Sequence, residues 1–419
     1  MLYKETNFKT VEELEMPRDW NGVKLQDILT YTKGRKPESY LTSQENNSTP
    51  YLSTEYLRQS IATQFVIPNE KLIKASAGDV LLLWDGSNAG EFFISKDGVL
   101  STTMVKFELK NDNIDKQFLF YLLKTKESYI KSQTNGTGIP HVSPTILNSL
   151  TLALPPFAEQ QKIVKLLSNI DVAIEKTDKL ITTTEKLRMG LIEQAVTKGI
   201  NHKKFKKVEI RTRIYNLPEE WRISNLSETS TIKGRIGWQG LTTKEYLKDG
   251  EYLLVTGTDF ENGRIAWDRC VYVSKERYMQ DTNIQLKEGD ILITKDGTIG
   301  KIAYVDKLPQ QATLNSGIFV VRPVNSAYGP SYMFWIMQSK FFNVFMNILK
   351  AGSTISHLYQ RDFVNFEFPI PPLEEQQKIV KILSTVDHKL DLERKEKRHL
   401  ERVKSGLMDK LLSGRVRVK

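Results

Sequence analysis

The chain has 419 residues and a mass of 48.2 kDa, with 40% hydrophobic and 26% charged residues and a mean hydropathy of -0.38, a composition typical of globular proteins with two or more domains. A single cysteine, Cys270, excludes internal disulfides and zinc sites built on paired thiolates; five histidines leave little for any other metal cluster, and no apolar run reaches the roughly 18 residues of a membrane span. The 60 Lys and Arg outnumber the 50 Asp and Glu, and the resulting net charge of +10 favours a polyanionic partner.

The first residues lack the basic-then-apolar pattern of a signal peptide. We therefore expect a cytoplasmic protein that does not contact a membrane.

The first 154 residues predict a mixture of short strands and helices. Residues 80–84 are β-branched or apolar and run into Asp85-Gly86, a dipeptide typical of tight hairpin turns. Residues 117–124 have a helical pattern with an aromatic face, which we expect to lie in the core. The loops at 32–48 and 132–143 are rich in Asn, Gln, Ser, Thr, Lys and Arg.

A long helix is predicted over residues 159–196, directly after Pro155-Pro156, which end an extended segment and favour a helix start. Apolar residues recur every seven positions, with Thr177 and Thr184 completing one seam and Leu180 and Leu187 continuing a second. Such a helix extends about 57 Å at roughly 1.5 Å per residue, which is longer than a compact domain needs. The stripe suits packing against a neighbouring helix.

The second half of the chain repeats the first. PPFAEQQKIVKLLS at 155–168 and PPLEEQQKIVKILS at 371–384 are identical at 11 of 14 positions, at an offset of 216. Weaker matches pair Pro-x-x-Trp near residues 17 and 218, the KGR tripeptides near 33 and 233, and the GD-x-L and DG-[ST] motifs near 78 and 289. Chance does not produce this agreement, so the chain consists of two copies of one unit.

The second unit ends in another long helix, predicted over residues 374–412. Its apolar stripe is clear at both ends, but its middle, 391–399, is mostly charged, and 389–419 holds 11 Lys or Arg against 5 Asp or Glu. The charged middle fits a solvated face and a face that contacts DNA or a partner equally well. Since each long helix alone would expose an apolar stripe, we expect the two helices to pair antiparallel.

These elements predict a mixed α/β (α+β) fold with an internal pseudo-twofold repeat. Two similar globular domains are separated by two long antiparallel helices that form a coiled coil. The predicted boundaries are 1–154 for the first globular domain, 155–200 for a central helical spacer, 201–370 for the second globular domain and 371–419 for a C-terminal helical spacer.

The polar loops of both units predict contact with double-stranded DNA. Arg and Lys side chains can donate to guanine in the major groove, and Asn and Gln can pair with adenine. Ordinary solvated loops are the alternative, because many loop residues contact nothing and phosphate contacts outnumber base contacts. The candidate DNA-contacting residues are Lys33, Arg35, Asn46, Asn135 and His141 in the first unit, and Lys233, Arg235, Gln239, Lys350, Ser353 and His357 in the second.

Catalytic signatures are weak. Leu154-Pro155-Pro156-Phe157 superficially resembles the motif of amino-group methyltransferases, but leucine stands where that motif needs a polar residue. We find no glycine-rich loop for S-adenosylmethionine or a dinucleotide and no phosphate loop. A magnesium site from Asp97 with Glu108-Leu109-Lys110 is a short, common pattern that the second unit lacks. We expect no catalysis, metal or cofactor in this chain.

Three features occur together in this chain: the duplicated PP-[FL]-x-EQQKIV helix start, the GD-[VI]-L and DG-[ST] motifs, and the C-terminal LLSGRVRV. With these features the chain resembles, over its whole length, the specificity subunit of type I restriction-modification systems. The resemblance implies that each globular domain is a target-recognition domain that reads one half of a split, asymmetric DNA target. It also implies that the helices space these domains and dock two modification subunits, which carry the adenine methyltransferase. The highly charged middle of the second helix departs from the pattern of a helix pair.

Restriction subunits would complete an ATP-dependent translocating nuclease, so the resemblance places S-adenosylmethionine, ATP and Mg²⁺ in partner subunits. The residues of the repeated motif that it suggests for partner binding are Gln160, Gln161, Lys162, Gln376, Gln377 and Lys378. Two alternatives stay open: a DNA-modifying enzyme fragment with methyltransferase or nuclease activity in this chain, and a coiled-coil scaffold that does not bind nucleic acid.

Overall fold

A computed structural model describes residues 2–134, 138–236, 239–351 and 357–418. The chain divides into two compact units. Unit 1 comprises Met1–Asp178 and Lys395–Lys419, and unit 2 comprises Lys179–Arg394. Each unit therefore combines one globular part with a segment of both long helices. The four-segment domain division inferred from the sequence stays a prediction.

The two long helices are present close to the predicted limits. The central helix spans Phe157–Lys198 and the C-terminal helix spans Leu373–Leu412. Each helix is followed by a glycine with positive φ, Gly199 at 63° and Gly414 at 72°, a conformation that favours glycine and ends helices. The chain then continues as the strand Val416–Val418, which pairs antiparallel with Leu2–Lys4, so the end of the chain is part of the globular fold of unit 1.

Within each unit the helix segments run antiparallel and are joined by ion pairs. In unit 1, Asp171 pairs with Lys404 at 2.5 Å and Asp178 with Lys397 at 2.6 Å. In unit 2, Arg188 pairs with Asp387 at 2.7 Å and Glu185 with Arg394 at 2.7 Å. Arg394 and Lys397 belong to the charged middle of the C-terminal helix. Part of that charge is therefore neutralised by acidic residues of the central helix.

The heptad interpretation is correct for one seam and wrong for the other. Thr177 and Thr184 are buried as predicted. Leu180 and Leu187, which were predicted to form a second seam, are 53% and 50% exposed. The contact face of the central helix instead carries acidic residues every seven positions, at 171, 178 and 185, and these pair with cations of the C-terminal helix. The leucines lie on a different face because they are two positions away from each acid, about 200° around the helix.

The globular part of unit 1 contains two four-stranded sheets. The first has the order Phe92–Ile94, Val80–Leu83, Met104–Leu109, Leu29–Lys33 and is antiparallel. The second has the order Phe65–Val66, Thr49–Leu52, Gly98–Leu100, Lys74–Ala75, and its central pair is parallel. The other strands are Phe8–Val11 with Leu14–Pro17, and Asn21–Lys24 with Thr151–Leu154.

The globular part of unit 2 repeats this topology. Its four-stranded sheet has the order Ser230–Gly234, Ile318–Pro323, Ile291–Thr294, Ile302–Tyr304, and its three-stranded sheet has the order Val271–Val273, Tyr252–Val255, Ala312–Leu314, again with one parallel pair. The other paired strands are Phe205–Ile210 with Arg213–Pro218, Arg222–Asn225 with Glu367–Ile370, and Phe260–Glu261 with Arg264–Ile265. The sequence repeat is therefore a repeat of strand order.

Short helices complete each unit. They are Leu25–Ile28, Thr54–Gln59, Lys116–Lys124, Glu127–Ser132 and Pro144–Ser149 in unit 1, and Leu226–Thr229, Lys275–Met279, Pro330–Met337, Lys340–Ala351 and Gln360–Phe363 in unit 2. Single 3-10 turns lie at Thr243–Glu245, Gly257–Asp259, Trp267–Arg269 and Thr282–Ile284. The aromatic helix predicted over residues 117–124 is confirmed, and its Tyr121 is 1% exposed. The helix Pro330–Met337 of unit 2 likewise buries aromatic rings, with Tyr332 and Trp335 each at most 1% exposed.

A glutamate carboxylate joins the globular part of each unit to the start of a long helix: Glu159 is buried, and the Glu375 side chain is 11% exposed. In unit 1, Glu159 accepts hydrogen bonds from Trp20 Nε1 at 3.2 Å and from the Arg417 guanidinium at 2.7 Å. In unit 2, Glu375 accepts from Trp221 Nε1 at 2.9 Å, and His202 Nε2 lies 2.7 Å from its Oε1. The repeated Pro-x-x-Trp and EQQ motifs are thus two halves of one joint.

The glutamine after each carboxylate makes hydrogen bonds within the same joint, so the prediction that it binds a partner subunit is wrong. Gln160 Oε1 accepts from Asp115 N at 2.9 Å, and its Nε2 donates to Pro155 O at 3.0 Å. Gln376 makes the equivalent bonds with Gly329 N at 2.8 Å and Pro371 O at 2.8 Å. Both glutamines are at most 3% exposed, so their amides are unavailable to a partner subunit, and we drop them as partner-binding candidates.

Removal of the Arg417 side chain should destabilise unit 1. Arg417 is 7% exposed and also bonds Asp19 at 2.7 and 2.8 Å, and this contact lowers the pKa of the Asp19 carboxyl. Because Arg417→Ala leaves the buried Glu159 carboxylate without its cation, we expect the free energy of unfolding to fall by about 3 kcal/mol, measured by urea denaturation. Arg415→Ala, at a side chain that is 62% exposed, is the control and should change little. Equal stability of the two variants would contradict the structural role of this cluster.

Candidate nucleic-acid interface

In unit 1 the Asp-Gly motif connects two loops that are far apart in sequence. Asp85 forms a β-bridge with His141, and Gly86 N donates to Pro140 O at 2.9 Å. The predicted tight hairpin is wrong here: strand Val80–Leu83 pairs with Phe92–Ile94 in a register that leaves a connection from residue 84 to 91. Gly86 has φ of 116°, which explains the glycine at this position.

The KGR motif supplies a cation to the same place. Lys33 ends a strand opposite Val105, and its Nζ lies 2.7 Å from Asp85 Oδ2. The Lys33 side chain is 48% exposed, so its ammonium reaches solvent while bound to the carboxylate. We call Lys33, Asp85 and His141 turn site 1. The structure therefore brings together two residues that the sequence analysis selected from separate loops.

Unit 2 builds the equivalent site around Asp296, which forms a β-bridge with His357 and contacts its Nδ1. Leu358 N donates to Lys295 O at 2.8 Å, which fixes the loop against the turn. Lys233 is the penultimate residue of its strand and lies opposite Val320, whereas Lys33 is the last residue of its strand and lies opposite Val105. Burial lowers the pKa of Lys295, whose Nζ lies 4.8 Å from the centre of the Phe319 ring, and the adjacent Asp296 opposes that shift.

Two further side chains of unit 2 extend this site, and sequence reasoning missed them. The Tyr359 ring lies 4.8 Å from the His357 ring, and the Arg361 guanidinium lies 5.0 Å from the Tyr359 ring. Gln360 Nε2 donates to Ile232 O at 3.3 Å, so this loop adjoins the strand that carries Lys233. We call Lys233, Lys295, Asp296, His357, Tyr359 and Arg361 turn site 2. Tyr359 and Arg361 could have been found from the sequence, because they lie within four residues of the candidate His357.

The other candidates are dispersed or buried. Arg35, Asn46 and Lys350 are exposed, and Lys350 lies on the helix Lys340–Ala351. Asn135 and Ser353 lie outside the described residues. In the partner-binding group, Gln161, Lys162, Gln377 and Lys378 are exposed, and Lys378 pairs with Glu374 on its own helix at 2.7 Å.

The burial of Arg235 and Gln239 contradicts the prediction that they contact DNA. Arg235 is 1% exposed, and its guanidinium donates to Leu314 O at 3.0 Å and to Gln280 Oε1 at 3.1 Å. Gln239 is 5% exposed. Burial lowers the pKa of Arg235, and the neighbouring Arg277 lowers it further. Because internal acceptors occupy the guanidinium, we drop both residues as DNA contacts and interpret Arg235 as a support of the loop that follows Lys233.

Two other kinds of site, a metal centre and a membrane-spanning helix, are absent from the described parts of the chain. No group of three or more His, Cys, Asp or Glu side chains in these segments is arranged to hold a metal ion. No helix among the described residues is long and apolar enough to cross a membrane.

Comparison with known proteins identifies relatives over the full length. The profile of the type I restriction modification DNA specificity domain matches residues 17–185 and again residues 218–402. The type I restriction enzyme MjaVIII specificity subunit of Methanocaldococcus jannaschii is 36% identical, over 100% of this chain and 98% of that protein.

Solved structures give the same fold. The type I restriction-modification S subunit from M. genitalium superposes with a TM-score of 0.60 at 16% identity, over 96% of this chain and 98% of that one. A chain from a study of complex assembly and conformational transition of the type I R-M system gives a TM-score of 0.54 at 18% identity, over 95% of this chain and 98% of that one.

The glycine of the KGR motif in unit 1 should not tolerate a side chain. A Cβ at Gly34 would overlap the carbonyl oxygen of Ser101, which belongs to the backbone and cannot move independently. We expect Gly34→Ala to lower the free energy of unfolding by about 1 to 3 kcal/mol, as overpacking does. Gly138→Ala is the control, because a Cβ there meets nothing within 4 Å. Thermal denaturation of both variants tests the comparison, and a Gly34→Ala protein as stable as the control would refute it.

Proposed function

Because this chain belongs to the type I restriction modification DNA specificity family, we propose that it is the sequence-specific DNA-binding subunit of a type I restriction-modification complex. The observation that carries the proposal is that the family domain matches twice, at residues 17–185 and 218–402. Each match contains one turn site, in which residues from separate loops converge on an Asp-Gly turn. The duplicated domain supplies two DNA-reading surfaces in one chain.

The target of this chain is bipartite and asymmetric. The two units share a strand order, but their turn sites differ in composition: turn site 1 pairs Lys33 with Asp85, whereas turn site 2 pairs Asp296 with His357 and adds Lys295. Different side chains on similar scaffolds read different bases. The two half-targets therefore differ in sequence, and the two long helices set the length of the unread spacer between them.

Partner subunits perform the chemistry. Relatives of this chain are named as specificity subunits of restriction enzymes, and one similar structure comes from a study of complex assembly in such a system. We propose that two modification subunits methylate adenine within the target and that restriction subunits cleave unmodified DNA. S-adenosylmethionine, ATP and Mg²⁺ bind to those subunits. Gln161, Lys162, Gln377 and Lys378 are exposed near the starts of the long helices and are the partner-binding candidates that we retain.

Affinity and discrimination come from different groups in this mechanism. Exposed Lys and Arg contact phosphates, which makes binding strong and salt-dependent but does not identify bases. A few loop side chains at the turn sites donate to base edges, each worth roughly 1 to 3 kcal/mol of discrimination. The ion pair between Lys33 and Asp85 holds the ammonium in one position before DNA arrives, which reduces the entropy that binding would otherwise cost.

Catalysis within this chain is the competing hypothesis. Incubation of the purified chain alone with DNA and either S-adenosylmethionine or Mg²⁺ distinguishes catalysis by this chain from catalysis by partner subunits. We propose that neither methylation nor cleavage occurs until partner subunits are added, and turnover by the chain alone would favour the enzyme alternative.

Lys233→Ala should weaken DNA binding by the complete complex and make it less salt-dependent. If Lys233 neutralises one phosphate, the slope of log K against log salt becomes smaller in magnitude by about 1. Lys207→Ala is the matched control, since Lys207 is also an exposed lysine of unit 2 but lies in the separate strand pair Phe205–Ile210 with Arg213–Pro218. Fluorescence anisotropy at several salt concentrations measures both slopes, and identical slopes would remove Lys233 from the interface.

Exchange of residues 201–370 for the same segment of a relative should replace one half of the target. The segment carries turn site 2, while turn site 1 is untouched, so the half-target of unit 1 and the adenine methylated there stay the same. Mapping of methylated adenines across the genome, in strains with the native chain, the exchanged chain or no chain, gives the answer. A change in both half-targets would contradict independent reading, and a strain that loses no methylated motif without the chain would contradict the proposed function.

A further inference from the structure

In unit 2 an exposed tyrosine lies beside two planar polar groups, an imidazole and a guanidinium. Tyr359 is 52% exposed, and its ring centre lies 4.8 Å from the His357 ring, with 60° between the planes. On the same tyrosine, the Arg361 guanidinium lies 5.0 Å from the ring centre. We call these three residues the Tyr359 ladder. Exposure of a large ring costs hydrophobic free energy, which a flat partner lying on the ring would recover.

Hydrogen bonds fix the backbone on both sides of Tyr359, whereas Tyr359 itself is 52% exposed. Leu358, immediately before it, is 1% exposed and its N–H donates to Lys295 O at 2.8 Å. After it, Phe363 is fully buried and its N–H donates to Tyr359 O at 3.0 Å. Asp296 holds the imidazole of His357 through Nδ1. Binding to the ladder would therefore order few additional groups.

Charge around the ladder suits a nucleic acid. Arg361 lies against the tyrosine ring, and the Lys295 carbonyl accepts from Leu358 N, one residue before the tyrosine. The hydrogen bond from Gln360 to Ile232 O places the strand with Lys233 beside this loop. Asp296 and Asp362 are the acids in this region, and each is engaged, by His357 and by Arg361 at 3.9 Å. Binding of a phosphate alone would require the cations but no exposed aromatic ring. An exposed ring beside cations suits a nucleotide, because the flat base can stack on the ring while the phosphate contacts the cations.

The ladder is specific to unit 2. At the offset of 216 that aligns His141 with His357, Tyr359 corresponds to Ser143 and Arg361 to Thr145. Ser143 instead caps the helix Pro144–Ser149 by accepting from Ile146 N. A ligand of the ladder is therefore contacted by one half of the duplicated chain. This contact adds a difference between the two half-targets.

We propose that Tyr359 stacks on a DNA base that is unstacked from its neighbours in the half-target read by unit 2. This inference rests on the proposed function, because it names the contact that unit 2 makes with its DNA. Arg361 backs the tyrosine ring, and Lys233 and Lys295 contact the phosphates that flank the unstacked base. Stacking of a base on an aromatic side chain is tolerant of base identity, so the ladder contributes affinity and DNA distortion at one position.

A double-mutant cycle between protein and DNA tests this contact. The complete complex is titrated with a duplex that carries its mapped methylation target and with duplexes that have one abasic site at successive positions of that half-target. We expect Tyr359→Ala to weaken binding of the intact duplex about tenfold or more. At one abasic position the same substitution should have almost no effect, because the stacked base is already missing. Tyr359→Phe should bind like the native protein, since stacking needs the ring and not the hydroxyl.

The controls separate failure of this inference from failure of the proposed function. Tyr129→Ala removes a tyrosine of unit 1 with nearly the same exposure, 51%, and should leave affinity unchanged. Native affinity of Tyr359→Ala for the intact duplex, or an equal loss at every abasic position, would overturn the stacking contact while leaving DNA recognition intact. A native complex that does not bind its methylation target would instead count against the proposed function.

Discussion

The structure depends on a largely buried carboxylate at the start of each long helix. Glu159 and Glu375 each accept the indole N–H of a tryptophan from the Pro-x-x-Trp segment, and each is approached by a cation or imidazole from the chain that follows the other helix. A buried carboxylate is costly unless all its partners are present. The joint therefore forms only when the globular part, the helix start and the returning chain come together, which makes each unit cooperative.

The helix segments inside each unit are matched by charge as well as by apolar burial. The ion pair between Asp171 and Lys404 in unit 1 recurs as the pair between Asp387 and Arg188 in unit 2. Each cation also lies over a core ring of its aromatic helix, Tyr121 at 5.6 Å or Trp335 at 5.1 Å. These contacts tie the helix pair to the globular part, so the orientation of a recognition surface is held by packing.

Duplication of this scaffold leaves the turn sites free to diverge. The carboxylate joint, the glutamine beside it and the strand order are the same in both units, whereas the side chains around Asp85 and Asp296 differ. Residues that hold the fold are constrained by burial, and residues at the turns are constrained only by what they bind. This separation allows one chain to carry two different recognition surfaces, and it explains why the PP-x-x-EQQ motif contributes to folding while the candidate DNA contacts lie around the Asp-Gly turns.

The sequence by itself determined the repeat, both long helices and the aromatic helix at 117–124, because these follow from periodicity and local backbone preference. The sequence also selected Lys33, His141 and His357, although their approach to Asp85 and Asp296 depends on pairing between distant segments. It misplaced Arg235, Gln239, Gln160 and Gln376, which have the polarity of surface residues but are buried by partners distant in sequence. Only the tertiary structure decided which polar residues are internal and brought Tyr359 to Asp296 and His357. Burial of a polar side chain depends on long-range hydrogen bonds, and no local pattern encodes those.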